Sequence, residues 1–93
     1  MHDFTFIDKT LYELIIKLKD KINPSEYELL SEFIEVGEEG LCFETICAII
    51  SDNEISITEE DYNKIAQIGK VMEIQEKYWL RLKNLGPNTK KKS

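Results

Sequence analysis

The sequence is nearly without histidine: its single histidine, His2, lies next to the N-terminal residue. Histidine is the commonest general base and a frequent metal ligand, so this scarcity argues against Ser-His-Asp or Cys-His catalysis and against the usual zinc sites. The four glycines, at positions 37, 40, 69 and 86, form no phosphate-binding loop. We therefore expect a protein that is not an enzyme and that carries no metal and no cofactor.

Cysteine and long apolar runs are also scarce. Cys42 and Cys47 are five residues apart, which is about 140° of rotation on a helix, so we expect two buried thiols and no disulfide between them. No apolar run approaches the roughly 20 residues needed to cross a bilayer. Asp3 and Asp8 stand where a signal peptide would carry bases. The predicted location is the cytoplasm.

Basic residues are missing from the middle of the chain. Residues 22–63 contain no Lys or Arg but twelve acids, whereas residues 77–93 contain six bases and no acid. The formal net charge of −6 therefore hides a strong separation of sign. A field of this kind is an argument about partners and not about the fold.

The apolar spacing predicts helices throughout. The stripe Leu11, Leu14, Ile15, Leu18 and Ile22 predicts a first helix, with Asp8 as its N-cap and residues 1–7 as an N-terminal arm. Asn23, Pro24 and Glu26 have the spacing of a capping box and start a second helix, which Gly37 ends.

The third predicted helix, residues 39–51, is apolar on nearly all faces. After a short connector at 55–57, Thr58 caps a fourth helix in which Gly69 allows close packing or starts the end, and a last helix spans 76–85. The predicted fold is all-α, a single small bundle of four to five short helices around the central apolar helix. Residues 1–87 form one helical domain, with a disordered basic tail at 88–93.

One face of the second helix carries a row of carboxylates, Glu28, Glu32 and Glu35, with Glu39 next in register beyond the turn. Carboxylates at these spacings repel one another, and soluble surfaces usually mix both signs. We therefore predict a docking surface for a cationic partner. The predicted acidic patch is Glu28, Glu32, Glu35, Glu38 and Glu39, extended by Asp52, Glu54, Glu59 and Glu60, with Tyr27 or Tyr62 as an aromatic anchor at its edge.

A family resemblance agrees with this charge pattern. The segment GEEGLCFETICAII (37–50), the ISI connector (55–57) and TEEDYNKIAQIGKVM (58–72) resemble the MafI-type immunity proteins of bacterial polymorphic toxin systems, over roughly residues 26–82. The resemblance implies a small cytoplasmic protein that binds the C-terminal toxin domain of an effector and blocks it. Such toxin domains are often nucleases, and an acidic face can occupy their basic clefts.

Two functions therefore stay open at the level of the sequence. The first is an immunity protein, monomeric before binding, that neutralises a basic toxin domain by stoichiometric occlusion. The second is a small helical adaptor or regulatory subunit, including a DNA-mimicking antirepressor, that assembles through an apolar edge. Neither involves a membrane or direct nucleic-acid binding, which the net charge opposes. An immunity gene is expected directly downstream of a large gene whose product ends in a toxin domain.

Overall fold

The structure is a computed structural model that describes residues 4–85. It contains five α-helices, α1 (Phe4–Leu18), α2 (Pro24–Glu35), α3 (Glu39–Asp52), α4 (Glu59–Val71) and α5 (Lys77–Leu80), and two 3-10 helices (Lys19–Lys21 and Arg81–Leu85). No strand occurs in this range, and the all-α class is confirmed. His2 and the predicted disordered tail at 88–93 lie outside the described residues.

The helices belong to two compact units, and the boundary falls within α3, between Ile46 and Cys47. The first unit contains α1, α2 and the N-terminal half of α3. The second unit contains the rest of α3, the connector, α4 and α5. The single domain over residues 1–87 stays a prediction.

In the first unit, α1 starts earlier than the sequence pattern predicted. It begins at Phe4, so residues 4–7 are not an extended arm and Asp8 is not an N-cap. The reason is that Ile7 is fully buried and extends the apolar stripe by one turn toward the N-terminus. Within this added turn, the Thr10 hydroxyl donates to the carbonyl of Phe6 at 3.0 Å.

The start of α2 confirms the predicted capping box. The Asn23 side chain accepts from the Glu26 backbone N–H at 2.9 Å, and the Glu26 carboxylate accepts from the Asn23 backbone N–H at 3.1 Å. Pro24 occupies the first helical position, where its missing N–H costs nothing. α2 packs against α1 and buries Leu30 and Ile34.

α2 ends at Gly37, as the sequence predicted, and the structure shows that this end is a Schellman motif. Gly37 has a φ of 81°, which only glycine adopts without strain. The Glu38 N–H donates to the Phe33 carbonyl at 2.7 Å, and the Gly37 N–H donates to the Ile34 carbonyl at 3.1 Å. These are the two bonds of the motif, and they redirect the chain into α3.

The predicted apolar helix is α3, and it contributes Cys42, Phe43, Ile46, Cys47, Ile49 and Ile50 to the buried set. Both cysteines are free and buried, as predicted. The Cys42 thiol donates to the Leu30 carbonyl, with an Sγ–O distance of 3.6 Å. Leu41, in the first turn of the same helix, is exposed.

The second unit confirms the cap and the close contact that the sequence suggested for α4. Thr58 Oγ1 accepts from the Asp61 backbone N–H at 3.0 Å. Gly69 lies against the Trp79 ring so closely that a Cβ at position 69 would overlap it. In residues 4–85, every helix falls short of the length and apolar content that a membrane crossing requires.

Two further Schellman motifs in the second unit lack glycine. Glu54 (φ 50°) ends α3 and Glu73 (φ 60°) ends α4. The Ile55 and Ile74 N–H groups donate to the Ile50 and Gly69 carbonyls, at 3.0 and 2.9 Å. A left-handed conformation costs a residue with a Cβ about 1–2 kcal/mol, so both glutamates are strained where glycine would not be.

Candidate partner-binding surface

The surface of α2 divides into three parallel stripes, because successive residues turn by about 100° around a helix. One stripe is buried, one is acidic and exposed, and one is apolar but only partly covered. The buried stripe is Leu30 and Ile34; the acidic row is Glu28, Glu32 and Glu35; the apolar stripe is Leu29, Phe33 and Val36.

The acidic row lacks a partner of opposite charge within the part of the chain that the structure describes. Among the side chains of residues 4–83, no Lys or Arg forms an ion pair with Glu28, Glu32 or Glu35. The last turn of α2 also contains no basic residue, although the negative end of the helix dipole lies there and favours cations. The row therefore opposes folding through mutual repulsion and through the dipole.

Glu38 lies just past Gly37 and is exposed, as predicted for the patch. Its carbonyl accepts from the Cys42 N–H at 2.9 Å. Glu38 is therefore the N-cap residue that directly precedes α3. The prediction that Glu39 continues the exposed row is wrong. The turn at Gly37 breaks the register of α2, and the Glu39 side chain is 7% exposed at the start of α3.

The neighbour of Glu39 is Asp8 of α1. Burial, a hydrogen bond to the Glu39 carboxyl and the charge of Glu39 together raise the pKa of Asp8 from 3.8 to about 6. Asp8 Oδ1 is buried and has no hydrogen-bond partner among the described residues. Burial, followed by the charges of Glu39 and Asp8, raises the pKa of the Cys42 thiol to about 12. Burial and the contact with Glu39 thus make Asp8 hold its proton more tightly than a free carboxyl group does.

The two tyrosines predicted as anchors are both half-buried. Lys19 Nζ lies 5.3 Å from the centroid of the Tyr27 ring, so a cation of the same unit already occupies one ring face. For Tyr62, burial and then the charge of Glu76 raise the pKa of the hydroxyl. The anchor role of both residues stays a prediction.

The remaining predicted acids are exposed and belong to the second unit. Asp52 is the last residue of α3, and Glu54 is the strained residue after it. Glu59 and Glu60 are in the first turn of α4, and Glu60 pairs with Lys64 at 3.9 Å. These four acids therefore stand at helix ends and starts, unlike the row along α2. Their contribution to the patch stays a prediction.

The apolar stripe is the feature that sequence reasoning missed. The pairs Leu29-Leu30 and Phe33-Ile34 give α2 two adjacent apolar lines, and only the second line is buried. Leu29 is 42% exposed and Val36 is 63% exposed, while Phe33 is half-buried. The doubled apolar residues were the available signal, because one buried stripe needs only one member of each pair.

Within residues 4–85, no group of three His, Cys, Asp or Glu side chains is arranged to hold a metal ion. The described surface of α2 combines an exposed acidic row with a partly exposed apolar stripe. No protein-family model matches this chain, and no curated protein and no solved structure matches it either.

Proposed function

We propose that this protein is an immunity protein that binds a cognate bacterial toxin domain, a nuclease with a basic phosphate-binding cleft, and neutralises it by stoichiometric occlusion. The observation that carries the proposal is the acidic row on α2, exposed and without an intramolecular cation among the described side chains. The resemblance to MafI-type immunity proteins supports the same function.

The energetic argument starts from the cost of the row. Glu32 follows Glu28 by four residues and Glu35 follows Glu32 by three, and each such pair costs a few tenths of a kcal/mol. The C-terminal position of Glu32 and Glu35 adds an unfavourable dipole term. A cationic partner removes both costs on binding, so the free protein holds a surface that a basic cleft stabilises.

The mechanism requires no turnover. The negative potential of the row steers a basic domain into contact, and the bound protein then occupies the place where the phosphates of a nucleic acid would lie. Because exposed charges act over about a Debye length, the association rate is expected to fall as salt is added. Inhibition should be complete at one protein per toxin domain.

The direct test uses the terminal domain encoded by the gene immediately upstream. The domain should arrest growth when expressed alone, and co-expression of this protein should restore growth. Purified together, the two proteins should form a 1:1 complex by light scattering, as stoichiometric occlusion requires, and the toxin should lose activity in proportion to bound protein. Persistent growth arrest with both proteins expressed would refute the proposal.

The electrostatic mechanism has its own matched pair of variants. Glu32→Lys/Glu35→Lys reverses two charges of the row, and Asp20→Lys/Glu73→Lys makes the same charge change at exposed positions outside the predicted patch. We expect the row variant to associate at least about tenfold more slowly than the wild-type protein in low salt. The control variant should associate at close to the wild-type rate. Equal rates for the two variants would show that net charge alone acts.

A further inference from the structure

The apolar stripe on α2 is unusual among the exposed apolar side chains of this structure. Phe4, Phe6 and Ile16 of α1 are also exposed, but Phe4 and Phe6 lie about 160° apart around the helix, and Ile16 lies about 15 Å further along it than Phe6, so they form no continuous line. Isolated apolar side chains on a surface are ordinary and require no explanation. Leu29, Phe33 and Val36, in contrast, form one continuous line along two turns.

The line is continuous in the backbone as well as in the sequence. Val36 follows Glu35, the last residue of α2, but its N–H still donates to the Glu32 carbonyl at 3.0 Å, so it stays on the helical spiral. The three side chains therefore rise by about 6 Å and then about 4.5 Å along the axis. The acidic row lies about 100° away around the same helix and runs parallel to it.

We infer that the apolar stripe is the docking site for a basic amphipathic helix of the toxin domain, whose apolar side chains cover Leu29, Phe33 and Val36 while its Lys and Arg side chains face the acidic row. This inference rests on the proposed function and adds to it the recognition element of the partner. The acidic row supplies the charge complementarity, because it offers carboxylates and no competing base.

Geometry favours a helix as the occupant. Side chains on one face of a helix recur at i, i+3 or i+4 and i+7, with the same rise as the stripe, so two such lines can lie side by side in register. A strand presents side chains on one face about every 6.6–6.8 Å, a spacing that leaves the register of the stripe within two turns.

Charge and size disfavour a second copy of this chain as the occupant. A second α2 laid against the stripe would bring a second acidic row close to the first, and like charges oppose such contacts. Three apolar side chains also provide much less than the roughly 1,200 Å² that stable interfaces bury. The stripe therefore suits one helix within a larger contact with a cationic domain.

The test uses two synthetic peptides of about 14 residues. Both consist of leucine and lysine, and the two peptides have the same composition. One places leucine at helical i, i+3, i+4 and i+7 spacing, and the other has a scrambled order. We expect the amphipathic peptide to bind the wild-type protein about tenfold or more tightly than the scrambled one, because burial of one leucine is worth that factor. Fluorescence anisotropy measures both affinities.

Matched variants test whether the difference in affinity between the two peptides depends on the stripe. Leu29→Gln/Val36→Gln keeps the charge and the helix propensity, and Ile16→Gln/Leu80→Gln makes the same kind of change at exposed apolar positions outside the stripe. The stripe variant should bind both peptides equally, whereas the control should keep the wild-type difference. Circular dichroism checks that both variants are folded.

The outcomes separate the two proposals. The stripe would be overturned as a docking site if the wild-type protein bound both peptides with equal affinity. It would also be overturned if the control variant lost the difference between the peptides as fully as the stripe variant. If the toxin domain binds the protein and Leu29→Gln/Val36→Gln leaves its affinity unchanged, the immunity function survives and this inference fails. If the peptides are discriminated through the stripe but no upstream domain binds, the proposed function fails and the docking site stands.

Discussion

The acidic row of α2 and the acids in the first turn of α4 show two opposite uses of the same residue type. In α4, Glu59, Glu60 and Asp61 occupy the first turn, where the helix dipole favours negative charge, and Glu60 has Lys64 as a partner. In α2, the acidic row extends into the last turn, where no base is present and the dipole is unfavourable. The acids in the first turn of α4 therefore support their helix, and those of the acidic row weaken α2.

This difference teaches which carboxylates are candidates for binding. A charge that stabilises its own helix has a structural reason to be there. A charge that destabilises its helix, without a partner among the described side chains, needs a reason outside the unit that carries it. By this criterion the acidic row is the stronger candidate, and the acids at the start of α4 are the weaker one.

The largest expected effect tests whether packing differs between the two units. Gly69→Ala should lower the free energy of unfolding by about 1–3 kcal/mol, because the new methyl group overlaps the Trp79 ring. Gly40→Ala in the first unit, where no atom lies within 4 Å of the added Cβ, should instead be neutral or stabilising by up to about 1 kcal/mol. Urea unfolding followed by circular dichroism measures both.

Trp79 is the only tryptophan of the chain, so its fluorescence reports on the second unit during the same titration. A wild-type midpoint for Gly69→Ala would contradict the close packing of α4 against Trp79.

Charge reversal tests the comparison itself. Glu59→Lys/Glu60→Lys should lower the free energy of unfolding by about 1 kcal/mol, since it places cations at a helix start and removes the pair with Lys64. Glu32→Lys/Glu35→Lys should raise it by about the same amount, since cations suit the end of α2. Melting temperatures at low ionic strength should move in opposite directions, and shifts of the same sign would break the comparison.

The helix ends provide a smaller test. Glu73→Gly should stabilise the protein by about 0.5–1 kcal/mol, because glycine adopts the left-handed conformation at the end of α4 without strain. Gly37→Ala should cost about 1 kcal/mol at the end of α2, although the added methyl group meets no neighbour within 4 Å. A loss of stability on Glu73→Gly would mean that the glutamate side chain contributes more than its backbone costs.

The smallest effect concerns the Asp8–Glu39 pair and depends on pH. The folded state raises the pKa of Asp8 to about 6, so it binds the proton more tightly than the unfolded state does. Asp8 therefore does not lower the free energy of unfolding below its ordinary pKa of 3.8. The loss of stability that it causes grows as the pH rises from there to about 6.

Asp8→Asn keeps a donor for Glu39 and removes this cost. We expect it to stabilise the protein by about 0.5–1 kcal/mol at pH 7, a value reduced for the partial exposure of Asp8, and to have no effect near pH 4. Chemical denaturation across this pH range checks the slope. A gain that is independent of pH would exclude the raised pKa of Asp8 as its cause.

Sequence reasoning located the helices because their signals are local. The capping box at Asn23, the cap at Thr58 and the glycine at 37 act through bonds between residues three to five positions apart. Such bonds leave a readable spacing in the sequence. The predicted start of α1 was wrong because the burial of Ile7 depends on tertiary packing. No capping residue in the sequence marks that start.

The candidate surface was predictable only in part. The exposed positions of Glu28, Glu32 and Glu35 follow from helical periodicity alone. The burial of Glu39 does not, because a positive φ at Gly37 changes the direction of the chain and removes the register on which the prediction relied. Each of the pairs Leu29-Leu30 and Phe33-Ile34 has one buried and one partly exposed member. The position at which α1 packs decides which member is buried, and the sequence of α2 alone does not predict that position.

The two buried thiols on α3 make each unit separately observable. Cys42 is in the first unit and Cys47 is in the second, and both side chains are fully shielded from water. A thiol reagent reaches such a group only when the surrounding structure opens, so in single-cysteine variants the modification rate measures the local opening equilibrium. Comparison of the two rates then reports whether the units open together or independently.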